Sequence, residues 1–420
     1  LPPHDNPPTP APGTRVLVPF GRGQRVGIFL GLSSDSDVPI DKLKAVSAVL
    51  DDEPSFDAAM LKLLQWAARY YVYPVGEVLG QALPTALREP EQSLVRWTRA
   101  WQFSEAGKAA PTGATSRAPV QSKLRDHLRQ HGASDATALA TCGKSWRDAL
   151  KKLNERGWIE EVQLPAAAPP ESEASEEALT LNDEQKIAVE TVSERFDQFS
   201  PFLLDGVTGS GKTEVYLQLV QRCLDKGQQV LVLVPEIGLT PQLMARFNNR
   251  FSVPVVSLHS GLSDGARLQH WQWAQRGEAR VVIGTRSAVF TPLPDLGLII
   301  IDEEHDGSLT QQDSFRYHGR DLALVRARAA EIPIVLGTAT PSLETLKNAR
   351  DGKYTLLSLR RRAGDASPPT IELLDIRRSQ LHEGLSQRLI DAMHEPLSKG
   401  QQVLIFINRR GFAPVLMCES

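Results

Sequence analysis

Residues Gly206, Val207, Thr208, Gly209, Ser210, Gly211, Lys212 and Thr213 lie between an apolar run, FLLDGV, and an amphipathic one, EVYLQLV. Glycine, four residues, then Gly-Lys-Thr between a strand and a helix is the spacing of a phosphate-binding loop. The glycines let successive N–H groups and the helix amino terminus converge on phosphate oxygens, Lys212 reaches the terminal phosphates, and Thr213 ligates Mg²⁺. Further along, the apolar segment LGLIII ends in Asp302 and Glu303. Carboxylates at the carboxyl end of a buried strand stand where open α/β sheets bind their ligands. Asp302 would share the Mg²⁺ with Thr213, and Glu303 would orient and deprotonate the attacking water. The bland readings, a Gly/Ser turn and a solvated acidic turn, do not account for both motifs in strand contexts. The expected catalytic set is Glu303, Asp302 and Lys212, acting on ATP with Mg²⁺.

After Asp306 the chain runs uncharged and then reaches Phe315, Arg316, Tyr317 and His318. Phe315 and Tyr317 could stack on unpaired bases while Arg316 meets phosphate. Equally, either ring could belong to the core, where aromatic residues commonly sit.

Those residues need elements to hold them. From Leu181 onward, strand-like runs (FLLDGV, QVLVLVP, VPVVSL, ARVVIGT, LGLIIIDEE, IPIVLGTAT) alternate with amphipathic helices, which predicts an α/β fold with a parallel sheet buried on both faces. Upstream, residues 1–90 begin with short alternating strands around TRVLVPFGRGQRVGIFLGL and end in the helix SFDAAMLKLLQWAARYYVY, a small β-rich domain. Residues 115–164, closing with SWRDALKKLNERGWIEEVQL, predict a winged helix, with a plain helical spacer as the alternative. Residues 165–180 are rich in Pro, Ala, Glu and Ser and predict a linker. The motor-like domain would then span 181–356, and 357–420 would open a further domain, so that the chain is expected to be a fragment.

With 420 residues, 41% hydrophobic, the chain can build several ordinary cores. No stretch of eighteen apolar residues and no signal peptide is readable, and the three cysteines, Cys142, Cys223 and Cys418, form no motif. The expectation is a cytoplasmic protein without a disulfide framework or membrane contact. A net charge of -3 neither demands nor excludes nucleic acid.

The order phosphate loop, DEEH, GTATPS resembles superfamily-2 helicases, and VPEIGLTPQ, LHSGLS, GTRSAVFTPLP and NRRGFAP resemble the PriA family of bacterial replication-restart helicases over nearly the whole chain. The resemblance implies a RecA-like lobe preceded by a 3′-end DNA-binding domain and a winged helix. It implies that Gln185 senses adenine, that His305 couples the carboxylates to the next motif, and that Thr338, Ala339 and Thr340 link hydrolysis to strand movement. Thr240, Pro241, Thr285, Arg286 and Ser287 would touch one DNA strand. DGSLTQQDSFRYHGR is similar to the family's aromatic-rich loop, so Phe315, Arg316 and Tyr317 would sense single-stranded DNA. Lys44 would lie near a bound 3′ end, although the strand completing that pocket in the family is not legible here. Arg409 and Arg410 stand in a family-like motif. Cys418 stands where the family begins its zinc-binding Cys pairs. One ligand cannot hold a tetrahedral ion, so zinc is expected only in the intact protein.

The resemblance further implies a 3′ to 5′ DNA helicase that recognises forks and initiates primosome assembly. Its expected partners are forked and single-stranded DNA, single-stranded DNA-binding protein, PriB-like and DnaT-like components and the replicative helicase, in a nucleoid-associated setting. An arginine from a second lobe would complete hydrolysis, so this chain alone is expected to be weakly active. Two other readings compete: another superfamily-2 translocase, and a fork-binding scaffold with an idle motor. Arg360, Arg361 and Arg362 read as a solvated basic face, His259 takes no role, and Trp66, Tyr70, Tyr71 and Tyr73 read as a core face at least in part.

Overall fold

The computed structural model describes residues 9–34, 38–91, 97–115, 118–165, 168–170, 174–362, 370–377, 379 and 381–406. Near the amino terminus, strands β1 (Arg15–Phe20) and β2 (Gly23–Ile28) pair antiparallel around Gly21, which has φ +61°, and β3 (Ala48–Val49) adds to the other edge of β1. Positive φ costs glycine nothing, which is why the turn falls there. Arg15 is fully buried yet paired, its guanidinium donating to both oxygens of Asp51 (2.6 and 2.7 Å) and to the Leu87 carbonyl. Helix α1 (Ala58–Tyr70), capped by Asp57, and α2 (Val75–Ala82) follow.

The apolar face of α1 finds its cover outside this domain. Met60, Leu64, Val78 and Leu87 belong to one continuous core with Leu231, Phe290, Ile299, Phe315, Tyr317 and Leu322 of the large α/β domain. Sequence patterning separates these two regions; burial of apolar surface unites them.

The second domain starts earlier than predicted. Strand β4 (Trp97–Phe103) pairs with β6 (Ile159–Pro165) along its length and with β5 (Ser134–Asp135) on its other side. The helices α3 (Glu105–Ala109), α4 (Pro119–His131), α5 (Ala136–Ala140) and α6 (Trp146–Glu155) lie between these strands in sequence. Phe103, Leu124, Leu128, Leu139, Trp146, Leu150, Leu153 and Ile159 form its own core. The helices are closed by a three-stranded sheet in the order β5-β4-β6, so the unit includes β4, which lies before residue 115 and is the sheet's central strand. Isolated from its partner β6, the 97–103 segment carries no alternation long enough to announce a strand.

The large α/β domain is built on seven parallel strands in the order β13-β7-β12-β11-β8-β10-β9. These are β7 (Ser200–Gly206), β8 (Gln229–Leu233), β9 (Val255–Leu258), β10 (Val281–Gly284), β11 (Leu296–Asp302), β12 (Pro333–Thr338) and β13 (Thr355–Leu359). Their connecting or flanking helices are α7 (Asp183–Ser193), α8 (Lys212–Asp225), α9 (Pro241–Arg250), α10 (Asp264–Gln275), α11 (Gly319–Ala330) and α12 (Leu343–Arg350). Residues of β8, β10, β11 and β12 are buried on both faces, as a parallel sheet between helix layers requires. Because β13 pairs with β7, the lobe extends through Leu359 rather than stopping at 356.

The remainder forms a separate unit from residue 364, described by itself. It holds a short hairpin of β14 (Leu381–His382) and β15 (Leu385–Ser386), and α13 (Gln387–Ser398) capped by Ser386. Arg409, Arg410 and Cys418 lie outside the described residues. No helix among the described residues is long and apolar enough to cross a membrane.

Candidate active site

Strands β7, β12 and β11 are consecutive in the sheet, with Thr338 opposite Asp205 and Asp302 opposite Gly337. Parallel strands lie about 4.8 Å apart, so the phosphate loop leaving β7 and the carboxylates leaving β11 share one sheet edge roughly 10 Å apart. Thr338 and its successors fill the position between them.

The loop itself follows from its glycines. Gly209 and Gly211 have φ +80° and +81°, a region that side chains disfavour. A Cβ on Gly211 would also collide with the Gln185 amide. Lys212 donates to the Gly206 carbonyl (2.9 Å), and the Ser210 hydroxyl is buried without a partner. A buried hydroxyl without a partner beside a lysine folded back into the loop is a donor set that phosphate would satisfy. The adjoining cleft, of about 1040 Å³, is lined by residues 176–180, 209–214, Leu217, Arg246 and Arg250.

One wall of that cleft comes from the segment predicted as a linker. The Ser175 and Glu176 amides donate to the Asn249 carbonyl (2.7 and 3.0 Å), and Arg250 donates to the Glu177 carbonyl while pairing with buried Glu214 (3.1 Å). Residues 174–180 are therefore pinned onto α9 and α8. Their composition hid this, because backbone groups rather than apolar side chains anchor them.

Gln185 spends both amide ends locally. Its Oε1 accepts from the Asn182 N–H in a capping box and its Nε2 donates to the Ser210 carbonyl (2.9 Å). The residue thereby holds the phosphate loop against the start of α7.

Asp302 accepts a hydrogen bond from the Tyr216 hydroxyl (2.9 Å). Burial pushes the Asp302 carboxyl above its ordinary value, against the Tyr216 bond and the Lys212 charge, which favour its ionised form. The Lys212 charge acts on this desolvated carboxylate, and Thr213, the residue after Lys212, lines the cleft beside the loop. Glu303 has φ +46°, a left-handed conformation that costs a non-glycine residue of order 1 kcal/mol. Strain of this kind, held in place by packing, turns the side chain of Glu303 away from the direction a continuing strand would give it.

Motif-to-motif contacts surround it. His305 Nδ1 lies 2.7 Å from the Thr338 hydroxyl and 3.6 Å from Glu303 Oε2, while its Nε2 lies 3.3 Å from the Thr340 hydroxyl. Thr338 is fully buried and also accepts the Thr340 N–H (3.0 Å). Ala339 stands between them. The next carboxylate, Glu304, escaped the sequence reading. Its side chain is fully buried and accepts from Arg320 (2.8 Å), the Ser342 N–H (2.7 Å) and hydroxyl (3.1 Å), and Thr345 (2.9 Å). Burial alone would raise this carboxyl; the donated hydrogen bonds and the Arg320 charge outweigh burial and hold it below its ordinary value. The only sequence signal was a third acidic residue where a strand ends.

The aromatic segment corrects the stacking expectation. Phe315 is 0% and Tyr317 3% exposed, with Phe315 packed against Tyr71, Tyr73, Phe290 and Tyr317 at centroid distances of 5.0 to 6.4 Å. Neither ring offers a free face to a base in this conformation. The gain from burying two aromatic rings in a shared core exceeds what an exposed stack would retain. Arg316 alone of the three is exposed. The Phe315 N–H donates to Gln81 (3.2 Å) and the His318 N–H to the Tyr71 hydroxyl (3.2 Å), so the segment is stitched to α1 and α2. Trp66 stacks on exposed Tyr70 (4.7 Å), while Tyr71 and Tyr73 turn toward Phe315.

Other expected DNA contacts divide. Thr285 is 5% exposed, so its hydroxyl is not a surface contact, because the chain dives between β10 and the following short helix. Arg286 beside it donates to Gln311 (2.6 Å) and to the Ser308 carbonyl (2.9 Å) of the aromatic segment. Ser287 accepts from Arg267 (3.2 Å). Thr240 caps α9 and Pro241 occupies its first turn, both reaching the surface. Lys44 is exposed in the loop before β3. His259 closes a turn by accepting the Gly261 N–H. Arg360 pairs with Asp205 (3.0 Å), and Glu184 accepts the Arg360 and Arg361 N–H groups, tying the chain leaving the lobe to the start of α7. Among the described residues no cluster of His, Cys, Asp and Glu could hold a metal ion by itself.

With the geometry established, comparisons with known proteins add a family. Residues 1–84 match the model of a 3'DNA-binding domain (3'BD), and residues 182–349 match that of the DEAD/DEAH box helicase. The chain is 44% identical over 418 residues to the replication restart protein PriA of Haemophilus influenzae, covering 97% of this chain and 56% of the relative. It is 42% identical over 410 residues to the PriA of Rickettsia conorii (97% and 51%), and 42% identical over 280 residues to that of Bacillus subtilis (64% and 35%). The chain thus spans about half the length of the curated relatives it matches. A helicase domain of this class uses a nucleotide with Mg²⁺.

Proposed function

The chain belongs to the family of the replication restart protein PriA, and from that premise we propose that it works as an ATP-dependent DNA helicase acting at branched replication forks. The observation carrying this reading is the common sheet edge on which the phosphate loop, Thr338 and the Asp302-Glu303 pair emerge from neighbouring strands.

In the proposed cycle the loop amides and Lys212 hold the ATP phosphates, while residues 176–180 wall the cleft beside them. Thr213 and Asp302 would hold Mg²⁺, which would supply neutralisation of phosphate charge. Glu303 orients and deprotonates the attacking water. His305 and Thr338 relay the state of Glu303 to Thr340 and Ser342. An arginine from a second lobe would complete the charge stabilisation. Closing and opening of the lobes moves the protein 3′ to 5′ along one strand, touched by Thr240, Arg286 and Arg316. The amino-terminal domain engages a DNA 3′ end with Lys44 at its rim. Single-stranded DNA-binding protein, PriB-like and DnaT-like factors and the replicative helicase are the proposed partners, in a bacterial nucleoid. Zinc belongs to this proposal only for an intact protein, with Cys418 as a candidate ligand.

DNA-stimulated ATP hydrolysis, compared between the unmodified protein and Lys212→Ala, tests the motor. Stimulation by forked DNA that Lys212→Ala abolishes is expected; hydrolysis indifferent to DNA refutes it. Strand displacement on forked against blunt duplexes separates this reading from another translocase, and restart surviving Glu303→Gln would favour an idle-motor scaffold.

A further inference from the structure

We propose that Tyr216 is a positioning residue of the metal site, its buried hydroxyl fixing Asp302 so that one carboxylate oxygen remains committed to the protein and the other is left for Mg²⁺. The proposal rests on the reading of this cleft as a Mg²⁺-nucleotide site.

Tyr216 lies one helical turn after Lys212 on α8, on the face turned into the sheet, and is 2% exposed. A buried phenol needs an acceptor, and the one it has is Asp302 Oδ1 at 2.9 Å. The bond crosses from the helix that begins the phosphate loop to the strand that carries the metal carboxylate, joining two motifs otherwise 86 residues apart in sequence. The strand between them makes room for it: a Cβ at Gly337 would collide with the Tyr216 hydroxyl. Gly337 has no positive φ to explain a glycine, so the close approach of the phenol is what its position requires. A phenol carries one O–H, and here that hydrogen is given to the carboxylate. A carboxylate with one oxygen held this way has lost its rotational freedom before the cation arrives, which is how outer groups tune ligand affinity.

Tyr216→Phe removes one oxygen atom and keeps the ring. Binding of a fluorescent ATP analogue to the full chain would be followed while free Mg²⁺ is titrated, with a parallel titration in EDTA. Loss of a hydrogen bond to a charged group should raise the half-saturating Mg²⁺ about 10- to 100-fold, leaving metal-free nucleotide affinity within about twofold. Coincident Mg²⁺ curves for the two proteins would overturn the proposal, as would an equal loss of affinity with and without Mg²⁺. In an Asp302→Ala background Tyr216→Phe should add nothing; an additive shift would also overturn it. Failure of the unmodified chain to show any Mg²⁺-dependent nucleotide binding would strike the cleft reading instead.

Discussion

Phe315→Ala decides between two physical roles for the aromatic segment. The ring is fully buried where the helices of the amino-terminal domain meet the motor lobe, flanked by Tyr71, Tyr73, Phe290 and Tyr317. Truncating a core phenylalanine costs about 3–5 kcal/mol through lost transfer free energy and the cavity left behind. The upper half of that range is expected, because four aromatic neighbours cannot easily collapse into the space and each edge or tilted pair adds a few tenths to about 1 kcal/mol. If the ring instead stacked on a base, its loss would cost about 1–3 kcal/mol of single-stranded DNA affinity, roughly 5- to 150-fold, with little effect on folding. Urea denaturation of the full chain, with fluorescence anisotropy of a labelled oligonucleotide at a temperature where the variant remains folded, separates the two. A large fall in the unfolding midpoint with DNA affinity within twofold is expected. An unchanged midpoint together with a tenfold or greater loss of DNA affinity would refute the packing argument.

Glu303→Gln should leave nucleotide binding intact while reducing hydrolysis by about 10²- to 10⁴-fold, read by single-turnover kinetics. Gly211→Ala, at φ +81° and against the Gln185 amide, should weaken nucleotide binding at least tenfold without unfolding the sheet, read by the same fluorescent analogue used for Tyr216. Glu304→Gln should lower stability at neutral pH, because its carboxyl is held below the ordinary value of 4.5 in the folded protein. Such a group contributes stability above its unfolded pKa and loses it as pH falls through the folded one, so the unfolding midpoints of variant and parent should converge on acidification below about 4.5. A gap that widens toward acid would contradict the network of donors around Glu304.

The phosphate loop and the strand-borne carboxylates were legible because their chemistry demands a local pattern: glycines where the chain must turn, then a lysine, and an apolar run ending in acid. Most of the parallel sheet was legible for the same reason, its central strands β8, β10, β11 and β12 being apolar runs buried on both faces. What escaped depends on distant partners. Strand β4 is recognisable only beside β6, and residues 174–180 hold their place through backbone bonds to Asn249 and Arg250 that composition does not reveal. Phe315 and Tyr317 read equally well as stacking or core residues until the apolar face of α1 was seen to need a cover.

Glu304 makes the same point at the site itself. As a letter it is one more acid in DEEH; in the fold it is the anchor between three segments. Arg320 begins the helix that follows the aromatic segment, Ser342 and Thr345 begin α12 after the Thr338-Ala339-Thr340 turn, and all three donate to its carboxylate. Glu303 is the preceding residue and has a left-handed backbone, φ +46°, so the donors to Glu304 hold the residue next to a strained position. The aromatic segment is held at its other side by Tyr71 and Gln81 of the amino-terminal helices. Packed and hydrogen-bonded groups therefore run from the amino-terminal helices to the segment that carries Glu303. For coupling to travel along it, the Glu304 cluster must have two arrangements, and a double-mutant cycle of Tyr71→Phe with Glu304→Gln on DNA-stimulated hydrolysis would measure the connection as a non-additive term.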